Sequence, residues 1–179
     1  MKKVLIPIVL AVTTLTVQAQ KLYSTKTGQI KFNASSPLEN VVAINNQVDS
    51  KMIDKTGQIV FSALIKSFRF ENQLMEDHFN ENYLESSKIP KAEFRGYITN
   101  VSAVDFTKDG KYPITVDGTL NMHGISQKVT APGMLEIAGG KPEITGSFKV
   151  KIRDYGITGL YIGTKIAEEA EIFVDCKYE

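Results

Sequence analysis

Over most of this 179-residue chain, apolar and polar residues alternate one for one. Between positions 144 and 152 the apolar series is Ile144, Phe148, Val150 and Ile152, with Gly146 in phase; Thr145, Ser147, Lys149 and Lys151 stand between them. A period of two predicts a strand with one dry face and one wet face. The same alternation sets Ile114, Val116, Leu120 and Met122 against Thr115, Asp117, Thr119 and Asn121. It recurs in Val129, Ala131 and Leu135 and in Ile59, Phe61, Ala63 and Ile65, with weaker copies over 30–34, 42–52, 92–98 and 170–178. About eight strands are therefore expected.

Turn signals fall between these runs. The pentapeptide KTGQI occurs at 26–30 and again at 55–59, each time before an amphipathic strand. It reads as one hairpin turn used twice, with Gly28 and Gly57 supplying positive φ. Asp109-Gly110, His123-Gly124 and Gly139-Gly140 predict further hairpins. Short connections imply antiparallel neighbours. One segment departs from the period: in ENQLMEDHFNENYLES, at 71–86, Leu74, Met75, Phe79 and Tyr83 recur at helical spacing. Asn72 is placed to cap it, and Glu76 and Asp77 lie near the positive end of its dipole. A helix of about three turns, ending before Pro90, is expected. An all-β chain with one short helix between its middle strands points to a closed or nearly closed antiparallel barrel.

The first residues obey a different logic. Lys2 and Lys3 precede an uncharged run over 4–17, and Val17 and Ala19 occupy the minus-three and minus-one positions of a cleavage site. This reads as a secretory signal peptide, residues 1–19, cut after Ala19. The run is shorter than the roughly 20 residues of a spanning helix and contains Pro7, so no permanent membrane anchor is expected. Gln20, rather than an acylatable Cys, comes after the cut. Residues 20–179 then form one domain, without a linker or low-complexity stretch, in a periplasmic or extracellular setting.

Composition narrows the chemistry. The formal net charge is +1, and loss of Lys2 and Lys3 would leave 19 basic residues against 20 acidic ones. That balance argues against a nucleic-acid partner. A single cysteine excludes a disulfide framework and a cysteine-based zinc site. Cys176 shares strand parity with Ile172, Val174 and Tyr178, which suggests a buried thiol. His78 and His123 lie 45 positions apart without a metal-binding spacing, and no nucleophile elbow, phosphate loop or dinucleotide fingerprint occurs. Glu168, Glu169 and Glu171 read as a solvated strand face. Catalytic and metal-binding residues are therefore not assigned.

What remains is the inward apolar set. Phe61, Leu64, Phe68, Phe70, Leu74, Met75, Phe79, Tyr83, Phe94, Val116, Leu120, Met122, Leu135, Phe148 and Val150 are the candidate lining of a cavity. An eight-stranded barrel is either filled by its own side chains or holds one ligand, and the alternation is identical in both cases. Lys66, Arg69, Lys88, Lys91 and Arg95 flank the expected helix. They read as solvated charges, with a phosphate-like head group as their alternative partner.

The blocks FSALIKSFRF at 61–70, LMEDHFNENYLES at 74–86, KIPKAEFRG at 88–96, VDGTLNMHGISQKVTAPG at 116–133 and FKVKIRDYGI at 148–157 resemble the bacterial polyisoprenoid-binding, lipocalin-like exported proteins of the YceI-like family. The resemblance covers nearly all of 22–178. It implies an eight-stranded antiparallel lipocalin-like barrel that binds a long-chain isoprenoid, quinone-like or polyprenyl, or a related lipid. It further implies no catalysis and no required cofactor, the bound isoprenoid or fatty lipid being cargo. One departure stands out: where relatives usually carry a proline after Ile157, this chain has Thr158-Gly159-Leu160-Tyr161-Ile162-Gly163, which predicts a looser loop. Two other readings stay open at this point, a cavity-less structural or stress-related interaction module and an enzyme acting on a lipid. Nothing in the sequence selects an oligomeric state; a homodimer would be ordinary for an exported barrel.

Overall fold

A computed structural model describes residues 20–179; the expected signal peptide and its cleavage site lie outside the described residues. Eight long strands are present: β1 (Leu22–Ser35), β2 (Val42–Ile53), β3 (Gln58–Leu64), β5 (Lys91–Ile98), β6 (Gly110–Met122), β7 (Ile125–Ala138), β8 (Lys141–Lys151) and β9 (Ile166–Lys177). Every pairing between them is antiparallel, in the order β1-β9-β8-β7-β6-β5-β3-β2, and β2 pairs with β1 to close the barrel. Closure removes the unpaired edges that an open sheet would expose. A two-residue strand, β4 (Arg69–Phe70), lies outside this cycle and pairs with Ala43 and Ile44 at the start of β2. All eight expected strands are found, and among the described residues no helix is long and apolar enough to cross a membrane.

The two copies of KTGQI adopt different structures. The second is the β2–β3 turn: Gly57 has φ +66°, and a Cβ there would lie 2.7 Å from the Ile98 carbonyl oxygen. The first is not a turn. It lies inside β1, where Gly28 opposes Val48 between two register shifts, and Gly28 has no positive φ. Pairing with β2 holds the chain extended here, and a bulge absorbs the extra residues. Gly28 is needed for another reason: Cys176 Sγ fills the space a Cβ would take. The Cys176 thiol is fully buried, and burial pushes its pKa up to about 12.

His123-Gly124 and Gly139-Gly140 are two-residue hairpins with positive φ at both positions. Asp109-Gly110 is not a hairpin. A connection over 99–109 with a 3₁₀ turn at Val101–Ala103 separates β5 from β6. The Asp109 carboxylate instead accepts hydrogen bonds from the Gly139 and Gly140 amides, at 3.0 and 3.4 Å, and so caps the adjacent hairpin. The long connection plugs one end of the barrel, where the Phe106 ring stacks on Tyr23 at 5.9 Å and Val101 and Val104 pack on the core. At this end Val48, Met52, Ile59, Ile98, Leu135, Cys176 and Tyr178 are almost wholly buried. The Tyr178 hydroxyl donates to Ser50 Oγ at 2.8 Å, and Ser50 donates on to the Val60 carbonyl at 3.0 Å. No polar atom of that buried pair is left unmatched.

The expected helix is present and changes character midway. Asn72 Oδ1 accepts from the Leu74 and Met75 amides at 2.9 and 3.3 Å, starting α1 (Gln73–His78), which continues as a π turn over Phe79–Tyr83. No residue of α1 is buried, so β4 on one side and the π turn on the other must anchor it.

Candidate functional site

At the end opposite the plug, the barrel encloses a cavity of about 470 Å³. Its walls come from alternate residues of the strands: Phe61 and Ala63 of β3, Phe94 of β5, Val116, Leu120 and Met122 of β6, Ala131 of β7, Phe148 and Val150 of β8, and Ile172 and Val174 of β9. Phe68 and Phe70, between β3 and the helix, and Leu74, Met75, Phe79 and Tyr83 of the helical segment complete it. All but two of the candidate residues thus border one space. Leu64 lies off the inward parity of Phe61, Ala63 and Ile65, and its side chain is 44% exposed on the outer face. Leu135 has the inward parity but no exposure, and it packs in the filled end rather than on the cavity.

The space exists because side chains are missing from inward positions. Gly96, Gly118, Gly133 and Gly146 all stand in the inward phase of β5 to β8; Gly96 faces Gly118, and Gly133 faces Gly146. A Cβ at Gly96 would lie 2.8 Å from Phe94 Cζ. The Phe94 ring therefore lies along the wall over the glycine pair instead of crossing the barrel. Gly133 and Gly146 themselves border the cavity. In the sequence only Gly146 stood out as being in phase. Four inward glycines on consecutive strands are the signal that could have distinguished a hollow barrel from a filled one.

Two segments cover the mouth. The first is the helical one, seated by Phe79, whose ring meets those of Phe32, Phe68 and Phe70 at 5.3, 5.8 and 5.1 Å. Arg69 Nη1 donates to Glu76 Oε1 at 2.7 Å, and Glu76 Oε2 accepts from the Phe70 amide at 3.3 Å, tying β4 to α1. The second covers 152–165, with a 3₁₀ turn at Ile152–Tyr155. Ile157 and Ile162 are buried under it, and Arg153 Nη2 donates to the Ile162 carbonyl at 3.1 Å. This is the loop expected to be loose, and its glycines have fixed uses. A Cβ at Gly159 would come within 2.5 Å of the Tyr83 ring, and Gly163 has φ +92°. The close approach joins the two covering segments, and burial, with Tyr161 nearby, raises the Tyr83 pKa.

Polar groups gather at the mouth. Glu39, Asn72, His78, Tyr161 and Lys165 border the cavity there, with the Lys165 ammonium 5.3 Å from the centre of the Tyr161 ring. None of Lys66, Arg69, Lys88, Lys91 and Arg95 borders it. Arg69, Lys88 and Arg95 pair instead with Glu76, Glu85 and Glu93. Among the described residues the lysine at the rim is Lys165, which the sequence does not single out because it lies beyond the last matching block. Glu169 and Glu171 stand opposite Lys151 and Lys149 across β8 and β9, on the outer face. His78 borders the cavity, whereas His123 holds the two covering segments. Among the described residues no cluster of three or more His, Cys, Asp and Glu could hold a metal ion.

A closed antiparallel barrel, filled at one end and hollow, apolar and covered at the other, is a lipocalin-like architecture. The chain belongs to the YceI-like family: the model of the YceI-like domain matches residues 10–178. None of the curated proteins matches the sequence. Among solved structures, a polyisoprenoid-binding domain from Saccharophagus degradans, implicated in plant cell wall breakdown, superposes with a TM-score of 0.75 at 10% identity, over 88% of this chain and 97% of that one. BcnA of Burkholderia cenocepacia gives 0.62 at 16% identity, over 85% and 96%. The YceI protein of Campylobacter jejuni gives 0.56 at 15% identity, over 100% and 99%.

Proposed function

We propose that the mature protein, exported after removal of residues 1–19, holds a long-chain isoprenoid or related lipid in the barrel and releases it unchanged. The observation that carries this is the hollow, apolar end. Its volume of about 470 Å³ falls within the roughly 300–1,000 Å³ of small-molecule sites. Each methylene moved from water into such a space gains about 0.8 kcal/mol, so even part of a prenyl chain binds favourably. Met75 and Met122 adapt to a ligand without fixed shape. The polar end of the cargo would rest among His78, Tyr161 and Lys165 at the mouth. The fold shared with a polyisoprenoid-binding domain supports the same reading, as does a lining with few groups able to do chemistry. A barrel filled along its axis is the disfavoured alternative.

Native mass spectrometry of the protein purified from its host tests the proposal. A co-purifying lipid is expected; a clean apo mass together with no uptake of an isoprenoid quinone would overturn it. Sequencing of the mature N-terminus tests export, and Gln20 is the expected first residue.

A further inference from the structure

His123 and Glu85 are the only non-glycine residues with positive φ among the described residues, at 52° and 44°, and they touch each other. His123 Nε2 lies 3.3 Å from Glu85 Oε2, and Nδ1 of the same ring lies 3.1 Å from the Tyr155 carbonyl oxygen. Glu85 closes the helical segment over the mouth, and Tyr155 belongs to the other covering segment. One imidazole, at the tip of the β6–β7 hairpin, therefore ties both covers to the barrel. Sparsely populated backbone conformations persist only where surrounding contacts enforce them, and they concentrate at functional elements. The helical cover is also held at its far end by Leu84, buried on the core, and by Tyr83 against Gly159. It has passed into a π turn, and Asn80 Oδ1 and Ser86 Oγ are buried there without a hydrogen-bond partner.

We propose that His123 is a proton-operated clasp on the mouth of the cavity, shut when the ring is charged and released on one side when it is neutral. Both oxygens facing the ring accept and neither donates, since one is a carboxylate and the other a backbone carbonyl. Imidazolium donates to both at once; neutral imidazole has one N–H and turns a lone pair toward the other oxygen. Imidazole side chains change charge between about pH 5 and 8. Hydrogen bonds from Lys88, and then from His123, hold the Glu85 carboxyl below its usual range, so it stays ionised. Burial pushes the Tyr155 phenol up to about 12. Arg153 donates to the Ile162 carbonyl, and the Asp154 side chain is exposed while its carbonyl accepts from Gln127. The clasp is thus complete below the imidazole titration and lost as pH rises through it. Only the consequence for cargo, faster exchange at higher pH, rests on the lipid-carrier reading.

The test is amide hydrogen exchange between pH 5 and 8.5, corrected for intrinsic rates, on the wild type and on His123→Asn, which tolerates positive φ without titrating. In the wild type, protection over 79–90 and 152–160 should fall about tenfold with rising pH, the loss of one charge-assisted hydrogen bond. In His123→Asn it should be flat, with Met52 and Ile98 unchanged in both proteins. A flat wild-type profile, or the same fall in the variant, overturns the clasp. Should the variant not fold, imidazole ¹⁵N shifts of the wild type answer instead: both ring nitrogens protonated at pH 5.5 is the expected result, and a ring already neutral there overturns it. Release of cis-parinaric acid should show the same pH profile. If that probe binds at no pH, the carrier reading fails while the exchange data still decide the clasp.

Discussion

Met52 and Met122 both face inward in the same barrel, yet Met52 has no exposure and Met122 borders a void. The difference lies in their neighbours. Around Met52 stand Ile59, Ile98 and Tyr178, with the 99–109 connection closing the end beneath them. In the hollow end to which Met122 belongs, Gly133 and Gly146 border the void, and Ala63, Ala92 and Ala131 stand in place of larger residues. Alternation closes the barrel at both ends alike, and side-chain volume decides which end is solid. The filled end supplies the packing that holds the hollow end open, since interiors elsewhere collapse to crystal-like density.

The comparison can be broken most directly by truncating the two methionines. Met52→Ala should cost about 2–5 kcal/mol of unfolding free energy, the range for a fully packed site. Met122→Ala should cost less than about 1 kcal/mol because much of its surround is already empty. Equal costs in urea melts would show that the two ends do not differ. Enlargement should reverse the contrast. Gly28→Val meets Cys176 and should destabilise by about 1–3 kcal/mol. Val116→Trp, in the hollow end, should leave the circular dichroism spectrum and midpoint nearly unchanged while abolishing isoprenoid uptake. A Val116→Trp protein that unfolds would reveal a filled core.

A chemical probe sharpens the same boundary. With its thiol buried and its pKa raised to about 12, Cys176 should resist a disulfide reagent at pH 8 until the filled end opens. Its labelling rate should therefore track global unfolding, slowing as bound ligand stabilises the fold; rapid labelling of the native protein would contradict the packing there. The smallest effect is expected at Arg69→Ala. Its guanidinium is exposed, so its pair with Glu76 should contribute no more than about 1 kcal/mol, and its loss should speed exchange in α1 without moving the melt.

The barrel was legible in the sequence because strand alternation and closure are both consequences of a repeated local pattern. The helix and its Asn72 cap were legible for the same reason. What escaped was settled by partners distant in the chain. Identical pentapeptides became a turn at Gly57 and a bulged strand at Gly28 because β2 pairs along β1 through Gly28, where Cys176 fills the space a side chain would take. Asp109 looked like a turn residue and serves another hairpin thirty positions on. Gly159 looked like slack until the Tyr83 ring occupied the room a side chain would have needed. Leu64 was placed inside by its hydrophobicity although its parity put it outside. For the site, residue type found most of the lining; the hollow itself was written in the glycines, which hydrophobic scanning passes over.

The facing pair Gly133–Gly146 gives the proposed cargo a wall partly made of bare main chain. Main chain in a ladder has its donors and acceptors already engaged and offers neither knobs nor alternative rotamers. Such a surface acts as a smooth bore. It gauges thickness and is indifferent to length, so a chain too long for the chamber would slide in by its tail and leave the remainder trailing through the mouth.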